Sequence, residues 1–180
     1  MPRKILVVTG SPRMNGNTDL LADAFIEGAK SSDNKVYRFD AGKADIKGCM
    51  DCKYCFKNEG KCRQEDDMQE AYKLLRECDV LVFVSPICYF NFSAQMKAFI
   101  DRMYCGIPNP FATKSSALLT VQAGAELDGA SNAIGAYKMI VGFSEWEDLG
   151  IITVPAVADA GAIKGNPKLD EAYELGAGIQ

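Results

Sequence analysis

The sequence contains no histidine in its 180 residues. That absence excludes Ser-His-Asp triads, Cys-His nucleophiles, His-ligated zinc and the usual proton shuttle of neutral pH. A bound redox cofactor fits the restriction, because the reactive atoms then belong to the cofactor and the protein positions them. Basic tracts are missing as well: 20 Lys and Arg stand against 24 Asp and Glu, a formal charge of −4. Neither nucleic acid nor an anionic membrane surface is expected as a partner. Long apolar runs are absent too. Ile5-Leu6-Val7-Val8, behind Arg3 and Lys4, is too short for a signal peptide or a membrane span, so a cytoplasmic location is expected. There is no internal repeat, low-complexity tract or linker, and 48% hydrophobic residues over this length predict a single domain, 1–180, with one substantial core.

Cysteine, by contrast, is plentiful. The chain has seven, an odd number without a secretion signal, which points to metal or redox chemistry rather than a disulfide framework. Four crowd into one cysteine-rich loop, 48–65.

Short apolar runs predict buried strands at Lys4–Thr9, Asp79–Ser85, Ser115–Val121 and Ile151–Val157, with a more polar strand at Lys35–Asp40. Helical spacing lies between them, in Leu20–Gly28, Met68–Cys78, Ala94–Tyr104 and, more weakly, Ile134–Val141. Asp66 with Gln69 reads as a capping box, Ser93 as a helix cap, and Asn166-Pro167 as a helix start. Strict alternation predicts a five-stranded parallel sheet with helices on both faces, an α/β three-layer sandwich. The polar strand belongs at an edge, which favours the order 2-1-3-4-5 and puts the ligand crevice between the first and third strands, at their carboxyl ends.

The loop leaving the first strand is Thr9-Gly10-Ser11-Pro12-Arg13-Met14-Asn15-Gly16-Asn17-Thr18. A turn that opens a helix presents free backbone N–H groups and the positive end of the helix dipole to an anion. Ser11, Asn15, Asn17 and Thr18 add neutral donors and Arg13 one cation. Neither G-x4-G-K-[ST] nor G-x-G-x-x-G is present, so a single terminal phosphate, as on a flavin mononucleotide, is the better match than a di- or triphosphate. The alternative is an ordinary turn with a helix cap. The third strand leads into Pro86-Ile87-Cys88-Tyr89-Phe90-Asn91-Phe92-Ser93, where aromatics form either a wall for a planar ring or part of the core.

These two loops, with Ser93-Ala94-Gln95-Met96-Lys97-Ala98-Phe99-Ile100-Asp101-Arg102, resemble the NAD(P)H-dependent FMN reductase family, over essentially the whole chain. The resemblance implies a flavodoxin-like fold and FMN-dependent transfer of electrons from NAD(P)H to a quinone, flavin or other small acceptor. It implies FMN contacts from Ser11, Arg13, Asn17, Thr18, Pro86, Ile87, Tyr89, Phe90 and Asn91, with Cys88 in the same loop. Relatives often carry Thr-Cys-Gly after the fourth strand; here Val121-Gln122-Ala123-Gly124-Ala125 departs from that, leaving Gln122 and Gly124 to reach the ring through backbone groups. A homodimer or homotetramer is implied in the same way. No side chain is expected to act as nucleophile or general acid, since ring alignment supplies the rate advantage.

The cysteine-rich loop reads Cys49-x2-Cys52-x2-Cys55-x6-Cys62. Thiols at this pitch are the donor set of a [4Fe–4S] cluster, while zinc sites of four cysteines usually separate their two pairs, and free thiols are the third reading. The spacing resembles the iron-sulfur flavoprotein branch of the same family, which implies an alternative function as an electron carrier between FMN and a redox protein such as ferredoxin. Cys78 is expected in the core, Cys105 at a helix end.

Overall fold

The computed structural model describes residues 2–180. The apolar runs form strands β1 (Lys4–Thr9), β3 (Val80–Cys88) and β5 (Ser115–Val121), flanked by β2 (Lys35–Phe39) and β6 (Glu147–Val154). All five pair in parallel in the order β2-β1-β3-β5-β6. Numbered among themselves, these are the expected 2-1-3-4-5. A sixth strand, β4 (Asn91–Phe92), was not expected; it folds back antiparallel on the end of β3.

Alternation of side chains splits each central strand between two cores. Leu6, Val8, Leu81, Phe83 and Leu118 face α2 (Met68–Leu75), α3 (Ala94–Arg102) and α4 (Ser131–Ser144). Ile5, Val7, Val80, Val82, Val84 and Leu119 face α1 (Asn17–Ser31) and α5 (Lys168–Ala177). Helices α1 and α5 cross at backbone contact: a Cβ on Gly28 would sit 1.9 Å from the Tyr173 carbonyl oxygen, and one on Gly176 2.2 Å from that of Phe25. The polar strand lies at the sheet edge, as its composition predicts.

Several boundaries depart from expectation. β3 runs on through Pro86 to Cys88, because Pro86 still pairs with Val121 and the last two residues pair with β4. β6 begins at Glu147 rather than Ile151 and ends at Val154; its polar start pairs with Ser115 and Ser116, and the register shifts between Ser116 and Ala117. α2 stops at Leu75, and α3 gives way to a 3-10 turn, Met103–Gly106. Ser93 caps α3 as expected, accepting from the Met96 N–H at 3.1 Å. Asn166 Oδ1 accepts the Lys168 N–H at 2.9 Å ahead of α5. No reciprocal capping box forms at Asp66, because Gln69 donates instead to the Cys62 and Gln64 carbonyls. Among the described residues no helix is long and apolar enough to cross a membrane.

Candidate functional site

The carboxyl ends of β1 and β3 are bound together by short-range geometry. Gly10 N–H donates to Val84 O at 2.8 Å, and Ser93 Oγ donates to Gly10 O at 2.7 Å while capping α3. A side chain at Gly10 would meet Met96 Cβ at 2.7 Å, so glycine is what lets the first loop lie against α3. On its other side the loop is braced by Gly42, whose Cβ would fall 2.1 Å from Ser11 O and whose N–H donates to Thr9 O at 2.9 Å. The turn expected to bind an anion is thus held from both flanks by backbone.

Its donors are free. No residue among those described accepts a hydrogen bond from the N–H groups of Asn15, Gly16, Asn17, Thr18 or Asp19, as expected for the first turn of a helix. Ser11 Oγ accepts from the Arg13 N–H at 3.2 Å, which leaves its own proton for a ligand. Arg13 is exposed, with its guanidinium 3.5 Å from Ala158 O, and Asn15 is exposed at positive φ (52°). Asn17 is corrected as a side-chain donor. Its amide is fully engaged, donating to Val157 O (3.0 Å) and Asp159 O (2.8 Å) and accepting from the Ile163 N–H (3.2 Å), so it tethers the β6–α5 loop to α1 and offers a ligand only its backbone.

The acid in this turn is neutralised in advance. Asp19 sits in the first turn of α1, where Arg38 Nη2 meets it at 2.6 Å; the same guanidinium reaches Asp23 (2.7 Å) and Asp40 (2.7 Å). Burial opposes ionisation of Asp40, yet hydrogen bonds from Thr9 and Arg38 outweigh it and hold its carboxyl below the ordinary value. Sequence reading missed this network, which joins residues far apart in the chain.

The second loop is a two-residue hairpin. Tyr89 and Phe90 occupy its centre with φ of 47° and 67°, a left-handed pair normally filled by Asn-Gly. Tyr89 is 97% exposed and Phe90 60%, with ring centroids 5.8 Å apart. The reading that these rings fill the core is therefore wrong; only Phe92 does so. Pro86, Ile87 and Cys88 form the strand beneath, and Asn91 turns its Oδ1 to the Phe92 N–H. In the third loop, Gln122 is buried and folded back, its Nε2 donating to Gly124 O (3.2 Å) and to Glu126 O. Gly124 is exposed, and a Cβ added to it would meet no atom within 4 Å. The Gln122 side-chain amide thus shapes the loop, with Oε1 buried and without a partner, and its backbone, expected to reach the ring, is engaged as well: the N–H donates to Val154 O (2.9 Å) and the carbonyl accepts from the Val157 N–H (3.0 Å).

The cysteine-rich loop crosses to the α3 side of the sheet. Cys49, Cys52, Cys55 and Cys62 all line one small cavity, together with Cys105, Tyr104 and Arg102. Cys105 was expected merely to end a helix; the turn after α3 instead brings it into the cavity wall. Burial first, and then the nearby Cys62 and Cys49 thiols, push the Cys55 thiol up. Among the described residues no three His, Cys, Asp or Glu side chains converge as for a single metal ion. The donor set, all thiols around a shared cavity, fits the four-iron cluster in chemistry. Cys78 is in the core, as expected. A buried ion pair supports the loop: Arg102 Nη1 and Nη2 hold Asp66 at 2.5 and 3.0 Å, and Nη1 also donates to Lys47 O at 2.9 Å. Burial opposes the Asp66 charge, but Arg102 and the Lys47 N–H prevail and keep its carboxyl below its usual value. Neither partner is recognisable from sequence, where Asp66 reads as a helix cap.

A doubly wound parallel sheet with an anion-ready turn after β1 and exposed aromatics after β3 defines a mononucleotide-binding α/β protein of flavodoxin type. Residues 3–158 match the family model described as NADPH-dependent FMN reductase, and the chain belongs to that family of FMN-dependent oxidoreductases. It is 32% identical over 180 residues to an iron-sulfur flavoprotein of Archaeoglobus fulgidus, covering 98% of this chain and 78% of the relative. An iron-sulfur flavoprotein of Methanosarcina thermophila is 29% identical over 165 residues, covering 91% and 83%. In solved structures the fold recurs in an NAD(P)H:quinone oxidoreductase from Methanothermobacter marburgensis (TM-score 0.76, 13% identity, 100% of both chains). It recurs also in an FMN-dependent NADH-azoreductase from Bacillus anthracis solved with FMN (TM-score 0.67, 14% identity, 96% of both).

Proposed function

We propose that this chain takes electrons from NADPH or NADH onto FMN and delivers them to a quinone, a flavin or another small acceptor. The observation that carries the reading is the row of unclaimed N–H groups from Asn15 to Asp19, opening beside an aromatic hairpin. These N–H groups and the Ser11 and Thr18 hydroxyls hold the FMN phosphate, with Arg13 adding a cation. The backbone of Pro86, Ile87, Cys88, Asn91 and Gly124 would supply polar groups to the ring, and Tyr89 and Phe90 would supply its apolar contacts. FMN supplies hydride acceptance and onward electron transfer. The protein's part is alignment and exclusion of water.

Exposed aromatics and the open Ala123–Asp128 loop leave the ring site incomplete within one chain. They support a homodimer or homotetramer in which a second copy closes it, and seven cysteines in a metal- or redox-type pattern rather than a disulfide framework suit a cytoplasmic setting. Purified protein with bound FMN is expected to oxidise NADPH or NADH in steady state when a quinone is added. Absence of turnover with every small acceptor would overturn the enzyme reading.

The second reading, an electron carrier, is favoured by the shared cavity of Cys49, Cys52, Cys55 and Cys62, which would hold a [4Fe–4S] cluster, and by the names of the two relatives above. Iron and sulfide analysis after anaerobic purification separates the cases: about four of each per chain are expected, and their absence contradicts a cluster.

A further inference from the structure

The cavity wall contains one group that the four thiols do not explain. Arg102 is 1% exposed and lines the cavity, whereas its partner Asp66, equally buried, does not. The carboxylate holds Nη1 and Nη2, and Lys47 O takes a further proton of Nη1. Nε is left: a buried N–H of a cationic group that makes no hydrogen bond among the described residues, the neighbouring Tyr72 hydroxyl being turned to Arg102 O at 3.0 Å. An unpaired buried donor of this kind costs about 1–3 kcal/mol, more on a charged group, and native structures rarely keep one without use.

We infer that Arg102 Nε donates to a sulfur of the cluster held by Cys49, Cys52, Cys55 and Cys62, and sets that cluster's reduction potential. This rests on the cluster reading given above. The physical case has two parts. Hydrogen bonds to cluster sulfurs are a principal lever on potential, and Nε is the one nitrogen of the guanidinium that has no partner. The pair is also oriented, with the cation at the cavity and the carboxylate behind it, so its field favours the added negative charge of the reduced cluster. The surrounding dielectric is low, because Arg102 and Asp66 are both shielded from water. Arg102 is thus a positioning and tuning residue; the ligands remain the cysteines.

The test is a redox titration of the cluster, followed by its electron paramagnetic resonance signal, in the anaerobically purified holoprotein. Wild type is compared with Arg102→Lys, which keeps the charge and loses Nε, and with Arg102→Met combined with Asp66→Leu, which removes the pair. The double variant covers the case in which the single one fails to fold, since replacing both members of a buried ion pair by apolar residues is often neutral. At a fixed solution potential, the ratio of oxidised to reduced cluster is expected to rise about tenfold in the double variant, equivalent to about 59 mV for one electron, and by less in Arg102→Lys. Iron-loaded variants with an unchanged ratio would overturn the inference and leave the cluster reading standing. A wild-type protein without iron and sulfide would overturn both. A merely structural ion pair would change the melting temperature and not the ratio.

Discussion

Single residues set the chemistry of the thiols. Burial pushes Cys78 and Cys105 up to about 11, so both stay protonated and shielded at neutral pH. Cys49, Cys52 and Cys88 lie exposed. In iron-free native protein, iodoacetamide is expected to label these three first and to leave Cys78 and Cys105 unmodified until the chain unfolds, as mass spectrometry of digests will report. Rapid labelling of Cys105 would contradict its burial. Asp66 carries the other residue-scale prediction. Its folded carboxyl titrates below the unfolded one, so its stabilisation is complete above about pH 4 and is lost as pH falls through the depressed folded value. Asp66→Asn should cost about 3–5 kcal/mol at pH 7, the penalty of stranding a buried cation, with the gap to wild type in urea midpoint narrowing below pH 4. A gap that stays constant through acid would mean that the ion pair is not what Asp66 contributes. The burial of Cys78 was legible from its helical spacing, but the ion pair was not: Arg102 and Asp66 stand 36 residues apart, and no local pattern marks two charges that will be buried together.

Among the elements, the helices and central strands were readable because their apolar spacing is regular and both faces of the sheet are buried. The β4 hairpin was not, since a two-residue strand has no periodicity and Tyr89-Phe90 is the reverse of a turn signal. That mismatch has a measurable consequence. Left-handed φ at a bulky residue costs on the order of 1–3 kcal/mol, and two exposed rings recover little of it by packing. Replacing the pair by Asn-Gly (Tyr89→Asn with Phe90→Gly) is expected to raise stability by about 1–2 kcal/mol and to lower reductase activity at least tenfold. The two assays are a denaturant melt and NADPH oxidation with a quinone. If the variant keeps full activity, the aromatics do not serve the ring. The turn after β1 was legible as a helix-opening loop, the engagement of its side chains only partly. Gly10-Ser11 and Gly16 mark the turn in sequence, but that Asn17 is consumed by the β6–α5 loop follows from a contact 140 residues away.

At the scale of the whole molecule, the sheet order puts two candidate sites on one scaffold: the turn after β1 with its hairpin, and the thiol-lined cavity beside the end of α3. Alternation of strand and helix made that order legible, and the Cys49–Cys62 spacing marked the thiol-rich loop, while the way loop 48–65 is anchored to α3 depended on tertiary contacts alone. The central claim is that backbone donors at the start of α1 grip a phosphate. Isothermal titration of the flavin-free protein with FMN and with riboflavin, which lacks only that phosphate, tests it most directly. Charge-assisted hydrogen bonds of about 1.5–3 kcal/mol each predict that FMN binds at least about 100-fold more tightly, and equal affinities for the two flavins would contradict the account.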